Sequence, residues 1–432
     1  MHQNLFNTRR WIQIALINFC VVAFAGIILR YKINFPLPFV NQKYLLHGHS
    51  HFAFDGWVAL ALMALMVNYL QQQNVKTSYT KYHRLLLANC VIAYAMFFSF
   101  IAEGYAFLSI TFSTLSIFIS YIFIYYLWLD LNKVEDKSDA PKWFKASMVL
   151  WALSSLGAFS LAYLMANDIR VQDYYFGAVY FFLHFQYNGW FLFCCFGLLF
   201  SFLYRKGLLP AAIPGKRLFS IMTITVGPSY LLSILWLKIP VVLVVLADIA
   251  GILQLLVLYY FIKLFFLAVK ALPFKIQDAA SPFIKPTSFL WIMAGFAFVV
   301  KIILQMLSII PYFSKYAFGF RPIVIGYLHL SFLGIISFFI LGYMNQILSV
   351  FQRTISRTGV LLFATGVLIQ EITLMYQGLE AMEVQPFPYA NIILFYAAIV
   401  MTAGLVWIAV NPDSFFNHRE RRGFSLWLKK KI

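Results

Sequence analysis

The sequence predicts an all-α polytopic membrane protein with about twelve transmembrane helices. Of its 432 residues, 62% are hydrophobic and only 11% are charged, and the mean hydropathy is +0.80. Soluble domains average about 25% charged residues, so lipid must be the solvent for most of this surface. The apolar runs reach the roughly 20 residues that a helix needs to cross the hydrocarbon. They are continuous rather than alternating, which favours helices over a β-barrel.

Twelve apolar runs are interpreted as spans of one integral membrane domain, residues 1–432. Proline residues punctuate the intervening segments, as expected where helices end. The predicted spans cover residues 11–29, 45–70, 84–102, 106–128, 143–166, 175–203, 217–237, 240–268, 286–311, 322–349, 358–377 and 389–410.

The distribution of Lys and Arg predicts that both termini lie in the cytoplasm. With twelve spans and an inside N-terminus, 24 of the 33 basic residues fall on the cytoplasmic side and seven on the outer side. Such an excess is the usual signal of orientation. The net charge of +18 is therefore interpreted as an orientation signal and a contact with anionic lipid, not as a nucleic-acid interface. The bias also suits a bacterial inner membrane.

A short motif occurs three times, at intervals of four spans. Its pattern is His, a large apolar residue, any residue, an aromatic residue, any residue and Gly. The copies begin at His51, His184 and His329, and the first two continue to Trp57 and Trp190. The repeat predicts three four-helix arcs around a pseudo-threefold axis. The repeat units are approximately residues 1–130, 131–270 and 271–432.

The three motif histidines are expected at similar depth in the outer half of the membrane. An ionisable side chain in the hydrocarbon is costly and indicates function. Neutral imidazole is the commonest metal ligand and suits haem iron, copper and zinc, whereas an interhelical hydrogen bond is the simpler role for a single histidine. In the run from His47 to His51, the first and last histidines share a helix face and His49 points elsewhere.

Further polar side chains in the outer half could orient the imidazoles or hold haem propionates. Structural pairing, for example of Lys301 with Glu371, is the simpler alternative for any one of them. These residues are Asp55, Glu103, Gln186, Asn188, Lys301, Gln305, Gln370 and Glu371.

The motifs resemble those of the catalytic subunit of the haem–copper oxidase and nitric-oxide reductase superfamily, whose members have twelve helices in three arcs. The run from His49 to Trp57 and the run from Gly326 to His329 look like the histidine signature of that family. The resemblance implies that His51 and His329 bind one low-spin haem b. It implies that His184, with His49 as a possible second ligand, binds copper or another metal, and that other respiratory subunits are possible partners.

Two departures from the family pattern concern the second metal. Tyr327 stands where the family has the ligand of its high-spin haem, and the predicted seventh span carries no histidine. We therefore expect a haem protein with a degenerate second metal site, acting in electron transfer, sensing or a respiratory assembly, with Tyr327, Asp55, Asn188 and Lys301 near the ligands. The alternatives are an unusual terminal oxidase or NO reductase, and a transporter of a metal or small solute.

Overall fold

A computed structural model describes residues 6–207, 213–271, 285–314, 320–350, 354–380 and 387–410. These residues are helical and include no strand, which confirms the predicted all-α membrane fold. Among them, eleven helices are long and apolar enough to cross a membrane, and a bent helix pair makes a twelfth span. The helices are α1 (Thr8–Asn34), α2 (Gln42–Gln72), α3 (Tyr79–Glu103), α4 (Phe107–Leu131), α5 (Ala140–Ala166), α6 (Gln172–Arg205), α7 (Gly215–Val226 with Pro228–Ile234), α8 (Val241–Lys270), α9 (Pro286–Leu307), α10 (Arg321–Val350), α11 (Arg357–Glu380) and α12 (Ala390–Val410).

Local sequence explains where several helices begin and end. The side chain of Asn41 accepts hydrogen bonds from two backbone N–H groups of the first turn of α2, a frequent device at helix N-termini. Pro286 opens α9 at a position where a missing N–H costs nothing. Gly104 ends α3 with a φ of 68°, a conformation that other residues rarely adopt.

The seventh span is bent by 49° between its two parts. Pro228 has no N–H group and its ring clashes with the preceding turn, so the α-helix cannot continue through it. After the bend, the N–H of Tyr230 donates to the carbonyl of Gly227 at 3.0 Å. The carbonyl of Val226 is thereby left without its partner in an α-helical ladder.

The three motif copies meet at the centre of the molecule. The aromatic residues at the fourth motif position are Phe54, Tyr187 and Phe332, one each from α2, α6 and α10. The ring centroids of Phe54 and Phe332 are 4.5 Å apart, and those of Tyr187 and Phe332 are 6.2 Å apart. Helix α1 packs against α12 and closes the ring of helices. The contacts support the pseudo-threefold arrangement that the repeat predicted.

Each motif copy contains a stretch of π-helix within its span. The stretches are Ala53–Ala59, Phe185–Phe191 and Leu330–Ser337. In the first two arcs the motif tryptophan stacks on the preceding helix of the same arc: Trp57 on Phe19 at 4.2 Å and Trp190 on Trp151 at 4.1 Å. Short π-helical segments within longer helices are rare and frequently lie at functional sites.

Burial differs between the two halves of each central helix. Every residue from Leu60 to Leu70 in α2 is buried, and so is every residue from Phe185 to Leu203 in α6. In contrast, α10 has no buried residue between Arg321 and His329. The C-terminal halves of these helices therefore form the packed core, and the N-terminal halves are more exposed.

Helices α11 and α12 approach each other closely through glycines. A Cβ atom added at Gly404 would lie 2.4 Å from the backbone nitrogen of Phe363 and 2.7 Å from the carbonyl oxygen of Gly359. Small residues permit such close backbone contact between membrane helices. No side chain can move aside here, because the neighbouring atoms belong to the backbone.

We expect Gly404→Ala to lower the stability of the protein by about 1–3 kcal/mol, the usual cost of overpacking. Thermal unfolding in detergent measures the effect. Gly177→Ala in α6 is the control, because the nearest atom would lie 3.8 Å from its new Cβ. Equal melting temperatures for the two variants would contradict the close contact of α11 with α12.

Candidate functional site

His49 lies on the face of α2 that packs against α1. Its Nδ1 is 3.0 Å from the carbonyl oxygen of Val22. Because a carbonyl oxygen can only accept, Nδ1 carries the proton and Nε2 keeps a lone pair. A metal-bound histidine usually has this arrangement, with its other ring nitrogen donating to a carbonyl or a carboxylate.

His329 on α10 has the same protonation pattern. Its Nδ1 is 2.8 Å from the carbonyl oxygen of Ile325, one turn earlier in the same helix. Within the described part of the chain, Nε2 of neither His49 nor His329 forms a hydrogen bond. The two rings lie within electrostatic range of each other. We call His49 and His329 the imidazole pair.

Arg30, near the outer end of α1, accompanies the imidazole pair. It lies within electrostatic range of both histidines and of Glu371 on α11. The salt bridges found among the described residues include neither Arg30 nor Glu371. The buried Oε1 of Glu371 also has no hydrogen-bond partner. A guanidinium group beside two imidazoles is thus available to an anionic group at this place.

His51 lies away from the imidazole pair. Its ring stacks on Phe100 of α3 at 4.4 Å, and its Nε2 is 3.0 Å from the hydroxyl of Tyr105. His47 also contacts Tyr105, with ring centroids 4.6 Å apart. His47 and His51 therefore share a face, as expected, and His49 is on another. The structure places His49, and not His51, beside His329.

His184 has both ring nitrogens engaged. Its Nε2–H donates to the carbonyl of Val226 at 2.7 Å, and the side-chain amide of Asn188 donates to its Nδ1 at 3.1 Å. The carbonyl is available because the bend before Pro228 leaves it without a helical partner. Where the resembled family has histidines on its seventh helix, this chain supplies a backbone oxygen. In this arrangement neither ring nitrogen of His184 is free to bind a metal, and its role as a metal ligand stays a prediction.

Two other residues singled out in the sequence, Lys301 and Tyr327, lie in different places. Lys301 is 3% exposed, donates to Gln305 at 2.9 Å and lies within electrostatic range of His184. It forms no salt bridge with Glu371. The ring of Tyr327 contacts that of Tyr187 on α6, at a centroid distance of 6.1 Å. Lys301 thus belongs with His184 rather than with the imidazole pair.

Asp55 points towards α4 and not towards the centre. Its carboxylate accepts a hydrogen bond from the hydroxyl of Ser116 at 3.3 Å. Within the described ranges, no three His, Cys, Asp or Glu side chains converge as a metal site. Comparisons with models of known protein families and with curated proteins give no match. The site is therefore interpreted from its own residues.

Two parts of the site were not recognised in the sequence. Arg30 was counted among the outer loop charges because it stands close to the end of its span. The carbonyl of Val226 is a backbone group, so no residue type in the sequence indicates it. The Gly227-Pro228 dipeptide does indicate the bend that leaves this carbonyl without its helical partner.

We expect His184→Ala to destabilise the protein by about 1–3 kcal/mol, because it removes the buried hydrogen bond between His184 on α6 and the Val226 carbonyl on α7, which then keeps only the donor Ser229. Thermal unfolding in detergent measures this loss, and His51→Ala at a partly exposed position serves as the control. Added Zn²⁺ or Cu²⁺ should shift the melting temperatures of the parent and the His184 variant equally. A metal-dependent stabilisation confined to the parent would restore His184 as a metal ligand.

Proposed function

We propose that this protein is a haem-binding integral membrane protein that resembles subunit I of the haem–copper oxidases. A low-spin haem b would be held between α2 and α10, with His49 and His329 as its two axial ligands. The observation that carries the proposal is the imidazole pair: two histidines on different helices, each with Nδ1 fixed by a backbone carbonyl and Nε2 unused. Two such histidines suit axial ligation of haem iron.

Arg30 supports the same assignment. A haem bears two propionate groups, and the guanidinium of Arg30, which forms no salt bridge with the described residues, is a suitable donor to a carboxylate. Arg30 lies nearer the outer end of its helix than the imidazole pair, so the propionates would point outwards. Around His329, the stretch Arg321–His329 of α10 has no buried residue.

The proposed role is electron transfer, sensing or support of a respiratory assembly. When bound, a bis-histidine haem exchanges one electron at a time. The protein residues hold and orient it: Val22 and Ile325 fix the ring tautomers, and Arg30 offsets negative charge. Reduction of oxygen or NO is not proposed, because in this arrangement neither ring nitrogen of His184 is free to bind a second metal. Other respiratory subunits remain proposed partners.

The haem assignment predicts different spectra for three histidine variants. His49→Ala and His329→Ala each remove one axial ligand, so the low-spin signal of the reduced-minus-oxidised spectrum should be lost or become high-spin. His51→Ala should retain the parent spectrum, because His51 binds Tyr105 instead. Purified protein and a pyridine haemochrome assay measure both the spin state and the haem content, with at most one haem per chain expected.

Two outcomes would contradict this assignment. Loss of the low-spin signal in His51→Ala, together with its retention in His49→Ala, would assign the axial ligand to His51 instead of His49. A parent protein without a Soret band would reject haem altogether and favour the transporter interpretation.

We further propose that the protein lies in a bacterial inner membrane with both termini in the cytoplasm. Reporter fusions after Lys76 and Lys137 should report the cytoplasm, because these two residues lie in connecting segments that carry the excess of positive charge. Fusions after Lys43 and Asp173 should report the outer side. A reversed result at any of these four positions would break the twelve-span topology.

A further inference from the structure

A small polar cavity lies between α6, α7, α8 and α9, separate from the imidazole pair. Its volume is about 20 Å³, and roughly 10–15 Å³ is enough for one water molecule. The space therefore accommodates a water or an ion of few atoms. No Asp or Glu residue lines it. The polar residues of the wall are Asn188, Thr225, Ser229, Gln254, Lys301 and Gln305.

Lys301 brings its amino group to this cavity, with the centre of the Phe298 ring 5.8 Å from Nζ. Only 3% of the residue is exposed, and its one hydrogen bond in the described structure goes to the neutral Oε1 of Gln305. An ammonium group has three N–H donors, so two remain. No carboxylate of the described residues lies within 4.0 Å. A buried charge without a partner is strongly destabilising in a protein interior and in a membrane.

The neighbouring amides add further unused polar atoms. Gln254 is 7% exposed, and its side chain forms no hydrogen bond with the described residues. Because Lys301 donates to Oε1 of Gln305, the amide oxygen of Gln305 is identified. Its amide nitrogen therefore remains as a donor. Asn188 is 6% exposed, and its Oδ1 has no hydrogen-bond partner. The side-chain amides of Gln254 and Gln305 therefore add N–H donors beside the amino group of Lys301.

We propose that this cavity binds a small inorganic monoanion, such as a halide, as the counter-ion of Lys301. The ammonium group supplies the charge, and the amide N–H groups of Gln254 and Gln305 supply further donors. The small volume favours an ion of one or a few atoms. The site is independent of the haem, since none of its residues belongs to the imidazole pair.

Thermal unfolding in detergent tests the site with sodium bromide titrated against sodium gluconate at constant ionic strength. A ligand that binds only the folded state raises the melting temperature in a saturable way. The parent should show such a rise with bromide, and Lys301→Met should lose it. Lys263→Met is the matched control, because it removes one positive charge from α8 outside the cavity, where Lys263 lies 4.3 Å from the ring of Tyr259.

A second variant keeps the test valid if Lys301→Met does not fold. Gln254→Leu retains the charge and removes one donor, so bromide should bind at least tenfold more weakly. Three results would each overturn the proposal: the same melting temperature in bromide and gluconate for the parent, an unchanged bromide effect in Lys301→Met, or its loss in Lys263→Met.

Discussion

The bilayer interior offers no hydrogen-bonding partners, and this constraint decides how the histidines within the spans are arranged. Each of His49, His184 and His329 donates one ring N–H to a backbone carbonyl. The sites differ in which nitrogen donates. In His49 and His329 the donor is Nδ1, which leaves Nε2 free to bind a metal. In His184 the donor is Nε2, and an amide occupies the other nitrogen. The motif histidines His184 and His329 thus have chemically distinct environments.

The origin of this difference lies in the helices that surround each histidine. His49 meets an unbroken α1, whose carbonyl of Val22 is reached by Nδ1. His184 meets the bent α7, whose carbonyl of Val226 is freed by Pro228. The second arc therefore uses its histidine to satisfy a broken helix. The same bend helps to form the cavity that holds Lys301, since Thr225 and Ser229 on its two sides line the wall.

Composition predicted the fold because long apolar runs have few stable alternatives in a membrane. The repeated motif singled out His51, His184 and His329 in the sequence. It also predicted the threefold arrangement of the helices. The choice between His49 and His51 was beyond the sequence, since it depends on the rotation of α2 against α1. Similarly, Lys301 was considered as a partner of Glu371, because nothing in the sequence shows which side of α9 faces α6. Whether a segment forms a helix depends on its local sequence. The rotation of that helix about its own axis depends on packing against helices that are distant in the chain.

The π-helical stretches have a further consequence for how such a molecule changes over evolutionary time. A helix turns by about 100° per residue, and a π-turn absorbs one additional residue without breaking the span. Gain or loss of a residue there would rotate the N-terminal half of the helix about its axis. The packed C-terminal half would stay in place. The three arcs could in this way diverge in their chemistry independently. The packed core on the C-terminal side of the π-turns would stay the same. Sites on the N-terminal side would be free to gain or lose a cofactor.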